Sequence, residues 1–253
     1  EPYRRQRQMC IRDRYRGEIM YIYGKNVARE KLNSDEKIAR VYLSDKFKDY
    51  EIIKLLKDKK IKINYVPNSF LDRKVDGLHQ GIVMEIDEVK TYELMDVIND
   101  IDKEYPTLVM LDHLEDPHNF GAIIRTCEAL GVDAIIIPND RSVSVNATVV
   151  KTSAGAISHI KIVRVANLTA TINKLKGIGY WIVGTDMKGT DYTKINYNIP
   201  VCLVIGNEGS GMSKIVRDNC DYIATIPMEG KVNSLNASVS LAIVLSRIVS
   251  SRG

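Results

Sequence analysis

LVIGNEGSGMSK, residues 203–214, sets a short apolar run against a glycine-rich turn. A strand that empties into glycines opens many nucleotide sites, and it is equally a plain strand-to-helix connection. Gly206 and Gly211 have the Walker spacing, but Met212 and Ser213 follow, so the phosphate-reaching lysine is missing. Gly209 and Gly211 begin a dinucleotide fingerprint, but Lys214 stands at its third glycine. Glu208 is the stronger objection, because a carboxylate inside a phosphate cradle repels the ligand. The loop suits a neutral or cationic ligand held largely by main-chain groups.

The 253 residues fit one large domain or two small ones, and 45% hydrophobic with 27% charged residues is ordinary for a soluble protein. No apolar run approaches the roughly 18 residues of a membrane span, so no membrane partner and a cytoplasmic location are expected. Cys10, Cys127, Cys202 and Cys220 include no C-x-x-C pair, and His79, His113, His118 and His159 no H-x-x-x-H pair. That pattern argues against a disulfide framework and against a metal site, and fits a reducing compartment. Of the net charge of +4, six arginines against three acids in residues 1–19 supply +3. This stretch breaks abruptly at Met20 and is read as a non-native or disordered basic extension, with Met20 the true start. The alternative is a basic RNA-binding arm.

From Tyr21 the chain alternates. A helix is expected over Asn26–Leu32, strands over Ile38–Leu43, Ile61–Val66 and Ile82–Ile86, and an amphipathic segment over 45–58. Lysines 46, 48, 54, 57, 59, 60 and 62 make this small α/β/α unit, residues 20–86, locally basic: a solvated face or a phosphate-contacting patch. Residues 87–106 read as a helix-containing linker. From 107 to 253 strands again alternate with helices, which implies a mostly parallel sheet covered on both faces, with its ligand beyond the carboxyl ends of the strands.

Three of those strands end in polar loops. The first, Asp116 to Thr126, holds Asn119 just before a helix expected from about Ala122, and Arg125 within it. The second is the glycine loop with Glu208. The third, Pro227 to Ser238, brings Asn233, Ser234 and Asn236 to the start of an apolar helix read as buried, against a second copy of the chain. Asn119 and one of the third group also fit simple helix caps. Asn119, Arg125, Glu208, Ser234 and Asn236 form no carboxylate pair, no Ser-His-Asp order and no metal set. They suit group transfer from an activated donor, where positioning carries much of the rate.

The segments DPHNFGAIIRTCEALG, LVIGNEGSGMS and IPMEGKVNSLNASVSLAIVLSR resemble, in order and spacing, the three motifs of the SpoU, or TrmH, family of RNA ribose 2′-O-methyltransferases in the SPOUT superfamily. The front unit, YIYGKNVAREKL to HQGIVMEI, resembles the L30e-like RNA-binding domain of the 23S rRNA guanosine branch. The resemblance implies an α/β SPOUT domain with a C-terminal trefoil knot and S-adenosylmethionine as donor. It implies donor contacts by Gly206, Ile226 and Leu235 with Thr185 nearby, and a homodimer. The donor's sulfonium is cationic, which makes Glu208 tolerable in the loop. Arg125 matches the family's catalytic arginine; a guanidinium stays protonated, so it reads better as a phosphate anchor and alkoxide stabiliser than as a base. Cys127 stands where the family often has a small residue. The expected activity is 2′-O-methylation of a 23S rRNA guanosine. Rival readings are the same chemistry on a tRNA guanosine or rRNA adenosine, or a non-catalytic RNA-binding protein.

Overall fold

The computed structural model describes residues 20–33, 38–75, 77–86, 89–140, 142, 143, 145, 147–231 and 234–252. The basic stretch 1–19, residues 87 and 88, and Asn233 lie outside the described residues. The chain divides into two compact units, 1–88 and 89–253.

The first unit runs β1 (Met20–Tyr23), α1 (Lys25–Asn33), β2 (Ile38–Ser44), α2 (Tyr50–Asp58), β3 (Ile63–Val66), α3 (Asn68–Asp72) and β4 (Ile82–Ile86). Its sheet has the order β1-β4-β2-β3, with only β2 and β3 parallel. Alternation along the strands separates two faces. Tyr42 and Val83 pack with Leu71 and Val75, while Val41, Leu43, Ile82 and Met84 are buried on the opposite side. The amphipathic segment becomes helical only at Tyr50, because Asp49 caps it: its carboxylate accepts from Ile52 N at 3.3 Å. The same carboxylate pairs with Arg29 at 2.8 Å and Lys25 at 3.4 Å.

The second unit runs β5 (Thr91–Tyr92), α4 (Leu94–Asn99), β6 (Thr107–Asp112), α5 (Pro117–Ala129), β7 (Ala134–Pro138), α6 (Ala147–Thr152), β8 (Lys161–Val165), α7 (Leu168–Gly177), β9 (Trp181–Asp191), β10 (Val201–Gly206), α8 (Lys214–Asp218), β11 (Tyr222–Thr225) and α9 (Ala237–Ser250). The stretch expected as a linker carries its helix, α4, and also β5, which joins the sheet beside β8. Two residues are too few to reveal a strand period.

The seven strands stand in the order β11-β9-β10-β6-β7-β8-β5, and every pairing is parallel. Successive residues feed opposite cores. Val109, Ile135, Leu203 and Ile205 face a core completed by α5, α6 and α9, while Met110, Ile136, Cys202 and Val204 face one completed by α4, α7 and α8. Burial on both sides explains why these strands read as continuous apolar runs. The chain builds β6, β7 and β8 outward in one direction, then returns to place β10 directly against β6. The loops after β6 and β10 thus emerge side by side where the winding reverses.

One helix starts earlier than expected, and another leaves apolar positions open on one face. α5 starts at Pro117, five residues earlier than the apolar pattern suggests. Asp116 accepts from His118 N at 2.9 Å and Pro117 supplies a fixed φ at N1, so Asn119 is inside the helix and free of capping duty. Gly121 permits close packing here: a Cβ would lie 1.8 Å from Thr152 Oγ1. In α9, Leu241, Val244, Leu245 and Ile248 are buried, whereas Val239 and Val249 are 45% and 39% exposed. Within one chain the helix is therefore buried on one face and open on the other.

After α9, Arg252 reaches back with Nη1 to Tyr105 O (2.7 Å) and Thr107 Oγ1 (2.6 Å), with Nε to Tyr197 O (2.8 Å) and with Nη2 to Ile199 O (2.9 Å). Arg252→Met keeps the aliphatic stem and strands those acceptors, so urea unfolding is expected to show a loss of about 3 kcal/mol.

Candidate functional site at the sheet switch point

The glycine loop is fastened at both ends. Asp112, 1% exposed, ends β6 opposite Gly206. Its carboxylate accepts from Ser213 N at 2.6 Å and from His113 Nδ1 at 2.5 Å. His113, at φ +59°, turns its carbonyl to accept Asn207 Nδ2 at 2.9 Å. Asn207 Oδ1 in turn accepts from Gly209 N (2.9 Å) and Ser210 N (3.2 Å), while its backbone exchanges two 3.0 Å bonds with Gly211. The loop is a closed Asx-type turn. Gly206 is required by space: a Cβ would come within 2.2 Å of Gly211 C and Met212 N.

The loop walls a cavity of about 370 Å³. All four residues expected to meet a donor line it: Thr185, Gly206, Ile226 and Leu235. Thr185 is held by donating Oγ1 to Val204 O at 3.2 Å. Glu208 and Ser234 also line the cavity. Among its lining residues two carboxylates, Asp186 and Glu208, occur and no lysine or arginine. Asp186 is neutralised by Arg217 at 2.9 Å, so Glu208 is the unpaired negative charge of the wall.

Beside the cavity, Asn236 Nδ2 donates to Asn119 Oδ1 at 2.8 Å, and Asn119 Nδ2 donates to Glu208 Oε1 at 3.1 Å. The direction follows from chemistry. Asn236 Oδ1 is taken by Ser238 N and Val239 N at the start of α9, so its amide nitrogen faces Asn119. A carboxylate only accepts, so Asn119 must present its nitrogen to Glu208. Three segments far apart in sequence, the first turn of α5, the glycine loop and the start of α9, thus meet in one relay, with Asn119 8% exposed at its centre.

Arg125 is not part of that relay. It is exposed on α5, outside the cavity lining, and no described residue pairs with it. Six residues beyond Asn119, it stands about 9 Å along the helix axis. Its charge is available to something outside this chain's described residues.

Sequence reasoning missed Asp112, Asn207, Asp186, Met187 and Met228. A carboxylate ending an apolar strand, and an Asn two residues before a glycine, were usable signals for the first two. The two methionines of the cavity wall had none, because flexible thioethers follow no period. Among the described residues no group of three or more His, Cys, Asp or Glu could hold a metal, and no helix is long and apolar enough to cross a membrane.

The SpoU rRNA Methylase family matches residues 106–246, and the RNA 2′-O ribose methyltransferase substrate binding family matches residues 21–92. YacO of Bacillus subtilis (strain 168), assigned to the TrmH family of tRNA/rRNA methyltransferases, is 41% identical over 238 residues, spanning 92% of this chain and 96% of YacO. Among solved structures, the SpoU methyltransferase AviRb of Streptomyces viridochromogenes, in complex with AdoMet, superposes with a TM-score of 0.74 at 22% identity, covering 92% of this chain and 90% of AviRb. An AdoMet-bound rRNA methyltransferase of Sinorhizobium meliloti gives 0.71 at 25% identity, over 94% and 88%. A TrmH/SpoU tRNA modifying enzyme of A. aeolicus gives 0.54 at 29% identity, over 62% of this chain and 79% of that one. With family models matching both parts of the chain and 41% identity to YacO over 92% of it, the protein belongs to the SpoU/TrmH family of RNA methyltransferases.

Proposed function

We propose that the chain methylates the ribose 2′-hydroxyl of a guanosine in 23S ribosomal RNA, with S-adenosylmethionine as donor. The observation that carries this reading is the cavity at the switch point with the Asn236–Asn119–Glu208 relay at its rim. The residues present fit the donor. The wall runs through the glycine loop from Ile205 to Gly211 and includes apolar Ile226, Met228 and Leu235, with one unpaired carboxylate and no lysine or arginine among the lining residues. Such a wall disfavours a polyphosphate and tolerates a positive ligand. A volume of about 370 Å³ lies within the range for small-molecule sites. The donor, when bound, supplies a methyl group on a cationic sulfonium.

Thr185, Gly206, Ile226 and Leu235 hold the donor. Asn119, Glu208, Ser234 and Asn236 orient the acceptor ribose, with the amides fixed in advance by the relay, so that little reorganisation remains at the reacting centre. Arg125, an unpaired cation beyond the cavity, anchors an RNA phosphate and stabilises developing negative charge.

Residues 20–86 serve as an L30e-like RNA-binding domain and 107–253 as the SPOUT methyltransferase domain, whose C-terminal segment forms a trefoil knot; the connecting stretch 87–106 adds β5 and α4 to the second unit. The exposed apolar residues of α9, Val239 and Val249, fit the interface of a homodimer. Ribosomal RNA is favoured over tRNA by coverage. The rRNA methyltransferase of S. meliloti spans 94% of this chain, whereas the tRNA modifying enzyme of A. aeolicus spans 62%. A cytoplasmic location follows from such a substrate.

The decisive experiment is transfer of labelled methyl from S-adenosylmethionine to ribosomal RNA lacking the modification, with nuclease mapping. Label on a guanosine 2′-oxygen of 23S rRNA supports the reading, and label confined to tRNA or to a base overturns it. Arg125→Ala should lower transfer about 100-fold or more while calorimetry finds donor affinity unchanged; loss of donor affinity would move Arg125 into the donor site. Gly206→Ala should cost about 2 kcal/mol in thermal unfolding and weaken donor binding, because the new methyl displaces residues 211 and 212.

A further inference from the structure

The first unit carries an exposed stripe with no structural duty. In α2 the buried side is Ile52 and Leu56. At about 100° per residue, Tyr50, Lys54 and Lys57 fall within about 60° of one another on the opposite side. Tyr50 is 82% exposed, more than any other large apolar side chain among the described residues. Lys54 and Lys57 are exposed, and no described residue pairs with either. The acids at the start of the helix are neutralised by other side chains of the unit. Asp49 is held by Lys25 and Arg29, and Glu51 by Arg29 at 2.8 Å. Only Asp58, in the last turn, offsets the stripe. Beyond the helix Lys59, Lys60 and Lys62 are exposed, and Tyr65 on the edge strand β3 is 58% exposed.

A ring left in water beside unpaired ammonium groups contributes nothing to this fold. It matches what an unstacked nucleobase and its flanking phosphates require: a π face for stacking and point charges for the backbone. We propose that Tyr50, Lys54 and Lys57 form a docking surface for RNA that presents an unpaired base. The base stacks on Tyr50, and the adjacent phosphates meet Lys54 and Lys57. The surface selects hairpin loops or bulges over continuous duplex. This deepens the proposed function and rests on its RNA substrate.

The test uses the whole chain and fluorescence anisotropy with two probes: a short RNA hairpin with an unpaired loop, and the same stem as a blunt duplex. Tyr50→Ala should weaken hairpin binding about tenfold and leave the duplex unchanged, with Tyr50→Phe retaining full affinity. Lys54→Gln combined with Lys57→Gln should weaken both probes and lower the salt dependence by about 0.7 per lost phosphate contact. Circular dichroism and donor affinity, both expected to be unchanged, separate these effects from misfolding. Wild-type hairpin affinity in Tyr50→Ala and in the double lysine variant would overturn the proposal and leave the face to a protein partner. Equal loss on hairpin and duplex in Tyr50→Ala would overturn the stacking role. A wild-type chain that binds neither probe would overturn the RNA reading itself, and the proposal with it.

Discussion

Asn119 is a neutral amide, nearly buried, with its oxygen committed to Asn236 and one N–H to Glu208. The rest of the site depends on that single side chain. It links the first turn of α5, the loop after β10 and the start of α9, and removing it would release Glu208 and Asn236, both exposed, to water and undo their alignment. The parallel sheet exists, in functional terms, to bring those three chain segments within hydrogen-bond reach. Placing β10 against β6 aligns Gly206 with Asp112, and the relay follows one loop beyond.

The glycine loop shows how a charge can be made acceptable by its frame. A glutamate at the mouth of a cavity is costly if the surroundings are apolar and the ligand anionic. Here Glu208 is exposed, accepts an amide N–H, and faces a wall without cations among its lining residues. The neighbouring Asp186 is held by Arg217, so the wall carries one uncompensated negative charge. Polarity and sign, more than shape, distinguish this pocket from a phosphate cradle that begins with the same strand and glycine pattern.

Much of this was legible in the residues. The continuous apolar runs Leu108–Leu111, Ala134–Ile137 and Val201–Ile205 announced buried parallel strands, and glycines and prolines marked their ends. Thr185, Gly206, Glu208, Ile226, Ser234 and Leu235, all named from the sequence, line one cavity. Other features were hidden for physical reasons. The start of α5 was misplaced because its first turn, Pro117 to Phe120, is set by a cap and a proline and not by apolar period. β5 is too short to have a period, and β9 runs to Asp191 through polar residues that no hydropathy pattern marks as strand. The Asp112–His113 fastening pairs residues with Ser213 and Asn207 that lie about a hundred positions away, which local reading cannot reach.

One side chain joins folding to the site. Asn236 caps α9 with the oxygen of the same amide whose nitrogen begins the relay. Fraying of the first turn of that helix and loss of the polar alignment are therefore one event, governed by one local opening free energy. The protection of the Ser238 and Val239 amides against hydrogen exchange becomes a readout of how often the site is assembled. A ligand that tightens the relay will slow that exchange without touching either amide.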